Sequence, residues 1–370
     1  LKNLYTWGNN ANGGLGLNAP VASRKSSPTQ IGTENTWNNI YGQWIDSYHS
    51  LAGREQGTLW TWGNGGSGEL GINASGTRSS PIQLPGTTWV DAQAGYYHTA
   101  ALKSDGTLWS WGNNGNGELG LNSSAPTGGR RSSPTQVGTD TTWGTTEGKL
   151  SGGRYNITAI KADGTLWTVG KNDSGELGQN NTISQSSPVQ VGPETTWSSL
   201  SATSGHSFGA VKTDGTLWVW GETEYGQLGL NKSHPGPATK KSSPTQVPGT
   251  NWRSFTSANN TSIATKTDGT MWAMGYNPMG MIGDNSTVNR SSPTQIPGTT
   301  WTKTVAMGSY TVAALKTDGT YWSWGYSYYG AVGDNKTGPS AKYSSPVQVP
   351  GIWKEEVGGG NNNLMGIKLE

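Results

Sequence analysis

Short apolar stretches separated by glycine- and proline-containing turns run along the whole chain. One unit shows the pattern clearly, with strand-like segments at 79–84, 88–92, 98–103 and 108–112. This pattern predicts four short β-strands per unit. The pair Asp105-Gly106 between the last two segments predicts a hairpin turn, because glycine adopts positive φ without steric cost. The same pair recurs at Asp163-Gly164, Asp214-Gly215, Asp268-Gly269 and Asp318-Gly319.

The unit repeats seven times. Its marker is the glycine of a Trp-Gly or related dipeptide, at Gly8, Gly63, Gly112, Gly170, Gly221, Gly275 and Gly325. A period near fifty residues with several strands per unit is typical of β-propellers, because one unit cannot bury its own apolar face. The predicted fold is therefore all-β, a seven-bladed β-propeller of four-stranded blades that forms a single domain over residues 1–370.

The two ends of the chain complete each other. Residues 363–368 match the third strand of the unit and residues 4–8 match the fourth. We therefore expect the termini to share one blade, which closes the ring and leaves no free sheet edge.

A second tryptophan recurs in each unit, and we expect its indole to fill the contact between neighbouring blades. Its positions are Trp37, Trp89, Trp143, Trp197, Trp252, Trp301 and Trp353.

The amino-acid composition excludes some classes of function but does not identify one. The chain has 57 glycines and no cysteine, and its 25 basic and 23 acidic residues leave a net charge of +2. Disulfides are excluded, and so small a charge predicts neither a nucleic-acid-binding nor a membrane surface. No apolar run is long enough to cross a bilayer, and residues 1–7 lack signal-peptide features, so membrane insertion is not expected.

The unit at 95–121, Gly-Tyr-Tyr-His-Thr-Ala-Ala-Leu-Lys-Ser-Asp-Gly-Thr-Leu-Trp-Ser-Trp-Gly-Asn-Asn-Gly-Asn-Gly-Glu-Leu-Gly-Leu, resembles the repeat of the regulator of chromosome condensation family. Members of that family act as nucleotide exchange factors for the GTPase Ran, as a plant ultraviolet-B photoreceptor and as secreted bacterial inhibitors of β-lactamase. The regular Ser-Ser-Pro-Thr-Gln and Pro-Gly-Thr-Thr-Trp segments are most similar to bacterial and bacteriophage members.

The chain departs from two of these relatives. The photoreceptor resemblance implies a Gly-Trp-Arg-His-Thr motif, but the matching stretch reads Gly95-Tyr96-Tyr97-His98-Thr99. The exchange-factor resemblance implies a protruding wedge and acidic contacts on one face, and no long insertion stands out in the sequence. Inhibitory contacts cannot be transferred, since the connection containing Ser-Ser-Pro is longer here.

No enzymatic constellation is evident, so we expect no catalytic residue, metal or cofactor. His49 and His98 share one repeat position that elsewhere holds Asn, Ser or Thr, which predicts a turn hydrogen bond. Neither they nor His206 and His234 have the spacing of a ligand set. The repeated glutamates of the Gly-Glu-Leu-Gly turns, Glu69, Glu118 and Glu176, are interpreted as structural. A Ca²⁺ site at Asp284 and Asp334 is a minor alternative.

Basic residues precede most Ser-Ser-Pro motifs, and they either keep the loops solvated or form an anion-binding rim. The rim would consist of Lys25, Arg78, Arg131, Lys241, Arg290 and Lys342, with Arg24, Arg130 and Lys240 doubling three of them. Alternating strand directions place them on the face of the long connections, opposite the Asp-Gly hairpins.

Two consecutive units replace polar loop residues with tyrosine and methionine, types enriched at interfaces. The predicted partner contact comprises Tyr276, Met279, Met281, Tyr326, Tyr328 and Tyr329, and packing of the loops against each other is the alternative. Trp44, which stands outside the repeat positions, is a further candidate for such a contact. The sequence thus predicts a non-enzymatic propeller that recognises another protein or a surface glycan. We expect it on a virion or a bacterial cell surface, with an intracellular regulator of a small GTPase, or a protein inhibitor, as the alternative.

Overall fold

The computed structural model describes residues 1–20, 23–41, 49–123, 129–200, 203–231, 240–258, 260–360 and 363–369. Trp44 lies outside these ranges. The strands are β1 (Lys2–Asn9), β2 (Arg24–Gln30), β3 (Trp37–Ile40), β4 (His49–Arg54), β5 (Thr58–Gly63), β6 (Arg78–Gln83), β7 (Trp89–Ala94), β8 (His98–Lys103), β9 (Leu108–Gly112), β10 (Arg131–Gln136), β11 (Leu150–Gly152), β12 (Asn156–Ile160), β13 (Leu166–Gly170), β14 (Gln185–Gln190), β15 (Trp197–Leu200), β16 (Thr203–Ser204), β17 (Ser207–Lys212), β18 (Leu217–Glu222), β19 (Lys240–Gln246), β20 (Trp252–Ala258), β21 (Thr261–Lys266), β22 (Met271–Gly275), β23 (Arg290–Ile296), β24 (Trp301–Met307), β25 (Thr311–Lys316), β26 (Tyr321–Tyr326), β27 (Lys342–Val349), β28 (Trp353–Gly360) and β29 (Asn363–Leu369). Two 3₁₀ turns, Ala11–Gly13 and Glu55–Gly57, complete the secondary structure of the described residues.

These strands form seven antiparallel blades, as predicted. Blades 1 to 3 are β3–β6, β7–β10 and β11–β14; blade 4 is β15 with β17–β19; blades 5 and 6 are β20–β23 and β24–β27; blade 7 is β28, β29, β1 and β2. The short strand β16 pairs in parallel with β20 and joins blade 4 to blade 5. The repeat unit read from the sequence does not coincide with a blade. Its first strand, which carries Ser-Ser-Pro, is the fourth strand of one blade, and its other three strands belong to the next blade. Within the described ranges, no helix has the length and hydrophobicity that a bilayer crossing needs.

Ring closure is confirmed. Strand β1 lies between β29 and β2 in blade 7, with Tyr5 paired to Gly366 on one side and to Gln30 on the other. The N-terminal strand is thus an inner member of the sheet that the C-terminal strands begin.

First strands of neighbouring blades contact one another around the ring, and fourth strands form the outer edges. Each fourth strand carries the proline of Ser-Ser-Pro, and its pairing register shifts beside that proline, as between Arg131 and Thr135. A residue without an N–H and an irregular register both discourage another strand from adding to the edge.

The apolar core lies between the blades, as the tryptophan repeat predicted. All seven repeat tryptophans are at most 3% exposed. In one cluster, Trp143 and Ile157 of blade 3 pack with Leu108 and Val137 of blade 2. A cation beside the tryptophan was not predicted, although a lysine stands two residues before every Asp-Gly pair, as Lys103 does before Asp105. In blades 1 to 6, a lysine or arginine at the end of the second strand makes cation–π contacts with two tryptophans, the repeat tryptophan and one on the third strand. Its charged group lies 3.9–5.0 Å from the centres of the two rings.

The long connection of every blade is fastened to the next blade by what we call the interblade latch. It comprises an asparagine in left-handed conformation, whose N–H donates to a serine carbonyl of the neighbouring Ser-Ser-Pro strand, and a glycine packed against that serine. Between blades 2 and 3, Asn122 N donates to Ser186 O at 2.8 Å, and Gly117 has φ +78°. The seven donor asparagines are Asn18, Asn73, Asn122, Asn180, Asn231, Asn285 and Asn335.

Tryptophans of the Trp-Gly markers complete five of the seven latches. Trp111 Nε1 donates to the Glu69 carbonyl of the preceding blade at 2.8 Å. Trp7, Trp62, Trp220 and Trp324 make the equivalent bond. A buried indole N–H needs such a partner, so the marker tryptophan is retained as a donor as well as an apolar group.

We expect Gly117→Ala to destabilise the protein more than Gly138→Ala does. Both glycines have positive φ, which costs an alanine about 1–2 kcal/mol. A Cβ at Gly117 would lie 2.8 Å from Ser186 Cα, whereas a Cβ at Gly138 meets nothing within 4 Å. Overpacking adds about 1–3 kcal/mol at the latch. Chemical denaturation measures the two free energies of unfolding, and equal losses would contradict the latch.

Candidate partner-binding face

Alternating strand directions divide the connections between two faces of the ring. The Asp-Gly turns lie on one, which we call the hairpin face, together with the Pro-Gly-Thr-Thr connections. The long connections between third and fourth strands lie on the other, the long-loop face, together with the short turns between first and second strands. The pairing of Arg131 with Gly112 shows that the cations begin the fourth strands on the long-loop face.

The cations of the predicted rim occupy the equivalent place in successive blades. Lys25, Arg78, Arg131, Lys241 and Arg290 pair with the marker glycines, and Lys342 pairs with Tyr326. Their position is as expected, and anion binding stays a prediction.

Several of these basic groups are already engaged. Arg290 donates to one oxygen of Asp284 through Nε at 2.8 Å and Nη2 at 2.6 Å. Although burial opposes it, hydrogen bonds from Ser286 and Arg290 lower the pKa of Asp284. Among Lys25, Arg78 and Lys241, by contrast, the described contacts include no ion pair. Positive charge that no described ion pair neutralises is therefore present in blades 7, 1 and 4.

The doubling cations hold the loop of the preceding blade. Arg130 donates to Gly66 O at 3.0 Å and Lys240 to Asp173 O at 2.6 Å. Arg24 lies 4.7 Å from the centre of the Tyr329 ring. These side chains therefore order the long-loop face, whatever else they bind.

The predicted tyrosine patch consists of two separate groups. Tyr326, Tyr328 and Tyr329 are half-buried and in ring contact, with centroids 5.8 Å and 4.8 Å apart along the series. Tyr276 instead contacts Tyr225 of blade 4 at 4.8 Å, a partner that the sequence did not suggest. Among the described ring contacts, none joins the two groups.

The two methionines lie differently from expectation. Met281 is only 2% exposed and belongs to the core cluster between blades 5 and 6, so its assignment to the contact surface is wrong. It occupies the repeat position of Glu69, which faces inwards in its own loop. Met279 is half-buried and packs against the same cluster. The contact patch therefore depends on its tyrosines.

A second aromatic group, missed by the sequence analysis, lies on the short turns of blades 2 and 3. Arg154 lies 5.1 Å from the Tyr96 ring and 5.4 Å from the Tyr155 ring, and Tyr96 packs edge-on to Tyr155 at 5.8 Å. The Tyr96 N–H donates to the Arg154 carbonyl. The available signal was the adjacency of Gly-Tyr-Tyr and Gly-Arg-Tyr at one position of consecutive repeats.

Comparison with known proteins agrees with this architecture. The family model for the RCC1-like domain matches residues 83–365, and the model for the regulator of chromosome condensation (RCC1) repeat matches residues 56–102. The first match covers most of the chain. The protein belongs to the RCC1-like domain family.

Solved structures share the fold of this RCC1-like chain. Human WBSCR16 superposes with a TM-score of 0.84 at 18% identity, covering 100% of this chain and 99% of its own. Prp20p from Saccharomyces cerevisiae gives a TM-score of 0.85 at 20% identity, covering 100% and 92%. Yeast RCC1 (Prp20) in complex with Kap60 gives 0.83 at 20% identity, covering 100% and 89%. The expected bacterial or bacteriophage origin stays a prediction.

Buried glutamates of the RCC1-like repeats stabilise their own turns. Glu69, Glu118 and Glu176 are at most 1% exposed, and each accepts a backbone N–H from two residues earlier at 2.6 Å. Burial raises the pKa of Glu69 to about 7 and that of Glu118 above its usual value. Glu176 also accepts a hydrogen bond from His206 Nδ1 at 2.7 Å.

The buried histidines differ from the turn role predicted for them. His49 Nε2 lies 2.9 Å from Thr99 Oγ1, and the Thr99 hydroxyl donates to Glu69 O at 2.8 Å. Since that hydroxyl proton is used, His49 Nε2 is the donor, and the bond joins blade 1 to blade 2. Burial lowers the pKa of His49 to about 3 and that of His98 to about 4. Both are neutral at neutral pH.

Metal binding finds no support in the described part of the chain. No three His, Asp or Glu side chains come together there. The two aspartates of the minor Ca²⁺ alternative have protein partners, Arg290 for Asp284 and the Tyr343 hydroxyl for Asp334.

Blade 3 carries an insertion before its first strand. Thirteen positions separate Trp143 from Asn156, whereas nine separate Trp89 from His98. The extra residues form a segment, 144–149, on the hairpin face. This insertion was not predicted, because it does not lie in a connection that leads to Ser-Ser-Pro.

Neighbouring blades hold the base of this insertion. Gly148 N donates to Asp91 Oδ2 of blade 2 at 3.0 Å, and Gly148 O accepts from Leu200 N of blade 4 at 2.7 Å. The tip at 145–147, which includes Glu147, is exposed. Burial, then the charge of Glu147, raises the pKa of Asp91 to about 8.

We expect stability to be greatest between about pH 4.5 and 6.5. His49 and His98 have folded pKa values below the unfolded value of 6.5, so they cost stability as pH falls below it. Glu69 and Asp91 have raised folded pKa values, so their contribution is lost as pH rises towards 7 and 8. Between about pH 4.5 and 6.5 the histidines and the carboxyls change the free energy of unfolding in opposite directions. Above pH 6.5 only the carboxyls change it, and stability falls.

Asp91→Asn tests this prediction, since the amide oxygen can still accept the Gly148 N–H. It should reduce the fall in melting temperature between pH 6.5 and 8. Asp163→Asn is the matched control, because hydrogen bonds from Thr165 lower the pKa of that hairpin carboxyl and it does not titrate in this range. An undiminished fall in the Asp91 variant would contradict the assignment.

Proposed function

We propose that this RCC1-like propeller is a non-enzymatic regulator that binds a protein partner through its long-loop face. The observation that carries this proposal is the half-exposed group of Tyr326, Tyr328 and Tyr329 with Arg24 stacked on it. Tyrosine and arginine are the residue types that most often dominate binding energy at protein interfaces. Cations beside the group would steer an acidic partner.

The group stands on an ordered base. Tyr326 ends strand β26, and on the other side Gly330 packs against Ser26 and Asn335 N donates to Ser26 O at 3.0 Å, so the latch between blades 6 and 7 fixes the chain directly after the tyrosines. A surface fixed before binding loses less conformational entropy on association. This favours recognition by the propeller without rearrangement.

The structural relatives support a protein as the partner. The Prp20p structure is described with its binding to Gsp1p and histones, and the other yeast structure contains Kap60. For the present chain, these comparisons favour a protein-binding regulator over a virion component. These comparisons do not test where the protein is located, so its placement on a virion or a cell surface stays a prediction.

Crosslinking from the two faces tests the proposal. A photo-reactive phenylalanine at position 328 should capture a partner that the same group at position 268, on the hairpin face, does not. With the captured partner, Tyr328→Ala combined with Tyr329→Ala should weaken binding at least tenfold, about 1.4 kcal/mol. Arg78→Ala should mainly change the association rate and its salt dependence.

The control is Asp268→Ala with Asp318→Ala on the hairpin face, which should leave affinity unchanged. All variants should keep the melting temperature of the unmodified protein to within a few degrees. A partner captured only from position 268, or full affinity in the double tyrosine variant, would contradict the proposal.

Nucleotide exchange on a small GTPase is a second candidate function, favoured by the insertion at 144–149. The family resemblance implies a wedge and acidic contacts on one face. The insertion presents Glu147 on a base held by blades 2 and 4. A rigid projection of this kind could displace a loop at a nucleotide site.

Release of fluorescent GDP from a panel of small GTPases tests this candidate. The protein should accelerate release from its cognate GTPase, and replacing 145–147 with three glycines should abolish the acceleration. Replacing Thr87 and Thr88 with glycine, on the same face of blade 2, is the control and should have no effect. Acceleration that survives the insertion variant, or none with any GTPase, counts against it.

A further inference from the structure

Three consecutive blades carry a run of basic residues along the long-loop face. In blades 7, 1 and 2 these residues stand at or next to the start of the fourth strand, and we call them the basic strip. They are Arg24, Lys25, Arg78, Arg130 and Arg131. Arg24 and Arg130 are exposed, and the other three are half-buried. Four of the five are arginines, the residue type that binds a carboxylate through two parallel hydrogen bonds.

The loops beside the basic strip lack exposed carboxylates. The long connections of blades 7, 1 and 2, at 10–23, 64–77 and 113–130, contain two acidic residues, Glu69 and Glu118. Both are at most 1% exposed and accept backbone N–H groups within their own turns. In blades 3 to 6, by contrast, each long connection has a carboxylate at another position of the loop. These carboxylates are Asp173, Glu224, Asp284 and Asp334.

Neutral contacts position the charged groups of the strip. Arg130 donates to Gly66 O at 3.0 Å, and Arg24 stacks on the Tyr329 ring at 4.7 Å. The ion pairs of the described residues include none of four members, Arg24, Lys25, Arg78 and Arg130. A carbonyl or a ring orients a guanidinium without cancelling its charge, so the strip stays positive.

An amide donor accompanies the cation at three successive junctions between blades. At the junction of blades 7 and 1, the Asn18 side-chain oxygen accepts from Ser79 Oγ at 3.4 Å, and Ser79 directly follows Arg78. The NH₂ group of Asn18 is thereby left to donate beside the guanidinium. The equivalent pairs at the two flanking junctions are Asn335 with Lys25 and Asn73 with Arg131. A cation next to an amide donor matches the two oxygens of one carboxylate.

We propose that the basic strip binds an extended acidic segment of the protein partner, with one carboxylate at each of these three junctions. Stacked sheets lie about 10 Å apart, and an extended chain rises about 3.3 Å per residue. Acidic residues three or more positions apart therefore reach neighbouring junctions. This inference rests on the proposed function, because the segment belongs to the partner that contacts Tyr326, Tyr328 and Tyr329. Arg24 joins that group to the strip.

Nucleic acid fits the strip less well than such a peptide. The long connections of blades 7, 1 and 2 contain no Phe, Trp or Tyr, so bases would have no ring there to stack on. A nucleic-acid strand also carries one phosphate per about 3.4 Å, much closer together than one junction per blade. Both features favour separated carboxylates over a continuous polyanion.

Fluorescence anisotropy with a capped, labelled peptide of six Glu-Ser-Gly repeats tests the proposal. We expect saturable binding at low salt, and the same peptide with glutamine in place of glutamate should bind at least tenfold more weakly. Arg130→Ala combined with Arg131→Ala should also weaken binding at least tenfold, mainly through slower association.

The matched control is Lys240→Ala combined with Lys241→Ala, which removes two charges at the same repeat positions of blade 4. Lys240 donates to Asp173 O at 2.6 Å, as Arg130 does to its own loop, so the structural loss is similar. Lys240 also pairs across the strands with Glu222, and carboxylates surround this doublet. The control should therefore leave the affinity for the peptide within twofold of that of the unmodified protein.

A second pair of variants tests the junctions without removing an arginine. Asn18→Asp puts a carboxylate at the central junction, while aspartate keeps the acceptor for Ser79 Oγ and tolerates the left-handed φ of 51°. It should weaken peptide binding at least tenfold. Asn180→Asp is the control at the junction of blades 3 and 4, where the side chain accepts from Ser243 Oγ at 3.0 Å, and it should have little effect.

Equal losses in the strip and control variants, equal binding of the glutamate and glutamine peptides, or tighter binding of an oligothymidylate than of the acidic peptide would overturn the proposal. Capture of a partner from position 328 does not depend on the peptide. If that capture succeeds and the acidic peptide does not bind, this inference is wrong and the proposed function stands.

Discussion

The structure depends on the latch by which each long connection is completed by the next blade. In all seven blades an asparagine N–H donates to a serine carbonyl of the neighbouring fourth strand, at 2.6–3.0 Å. The donor asparagines have φ between 51° and 66°, a conformation that asparagine tolerates better than most residues. Because a loop is satisfied only by its neighbour, no blade is structurally complete alone, and closure by the shared blade 7 completes the last latch.

This constraint separates the residues that fold the ring from those available for recognition. Latch glycines, asparagines and serines recur in every blade, so they cannot distinguish one part of the surface from another. Differences arise where the repeat is interrupted, as by the tyrosines on the blade 6 loop and by the insertion before β11. Each interruption rests on latched or hydrogen-bonded neighbours, so the surface can vary without loosening the ring.

The sequence predicted the features that depend on spacing and failed on those that depend on side-chain direction. The period of the marker glycines was enough for the blade number, and the match of the two termini to the third and fourth strands of the unit was enough for the pairing of β1 with β29. Burial of Met281 could have been inferred only by aligning it with Glu69, since both follow the latch glycine of their loops. The cation between two tryptophans, such as Lys103 between Trp89 and Trp109, recurs two residues before each Asp-Gly pair, but its contacts with both rings depend on side-chain direction across three strands.

The same alignment explains why the ring is chemically uneven although its backbone repeats. The buried position after the latch glycine holds glutamate in blades 1 to 3, Gln227 in blade 4, and then Met281, Ala331 and Gly14. Gln227 Oε1 accepts a hydrogen bond from Tyr225 N at 2.9 Å, as each glutamate accepts one from the residue two positions earlier. A neutral amide can therefore stabilise the turn in the same way. Methionine, alanine and glycine avoid burying a polar group altogether. The turn therefore does not require a carboxylate, and the titratable glutamates of this position are confined to the arc of blades 1 to 3, where His49, His98 and Asp91 are also buried. Between about pH 4 and 8, a change of pH therefore acts mainly on the side of the ring that carries the insertion, because in the opposite arc the pKa of Asp284 is lowered and that of Tyr343 is raised to about 12.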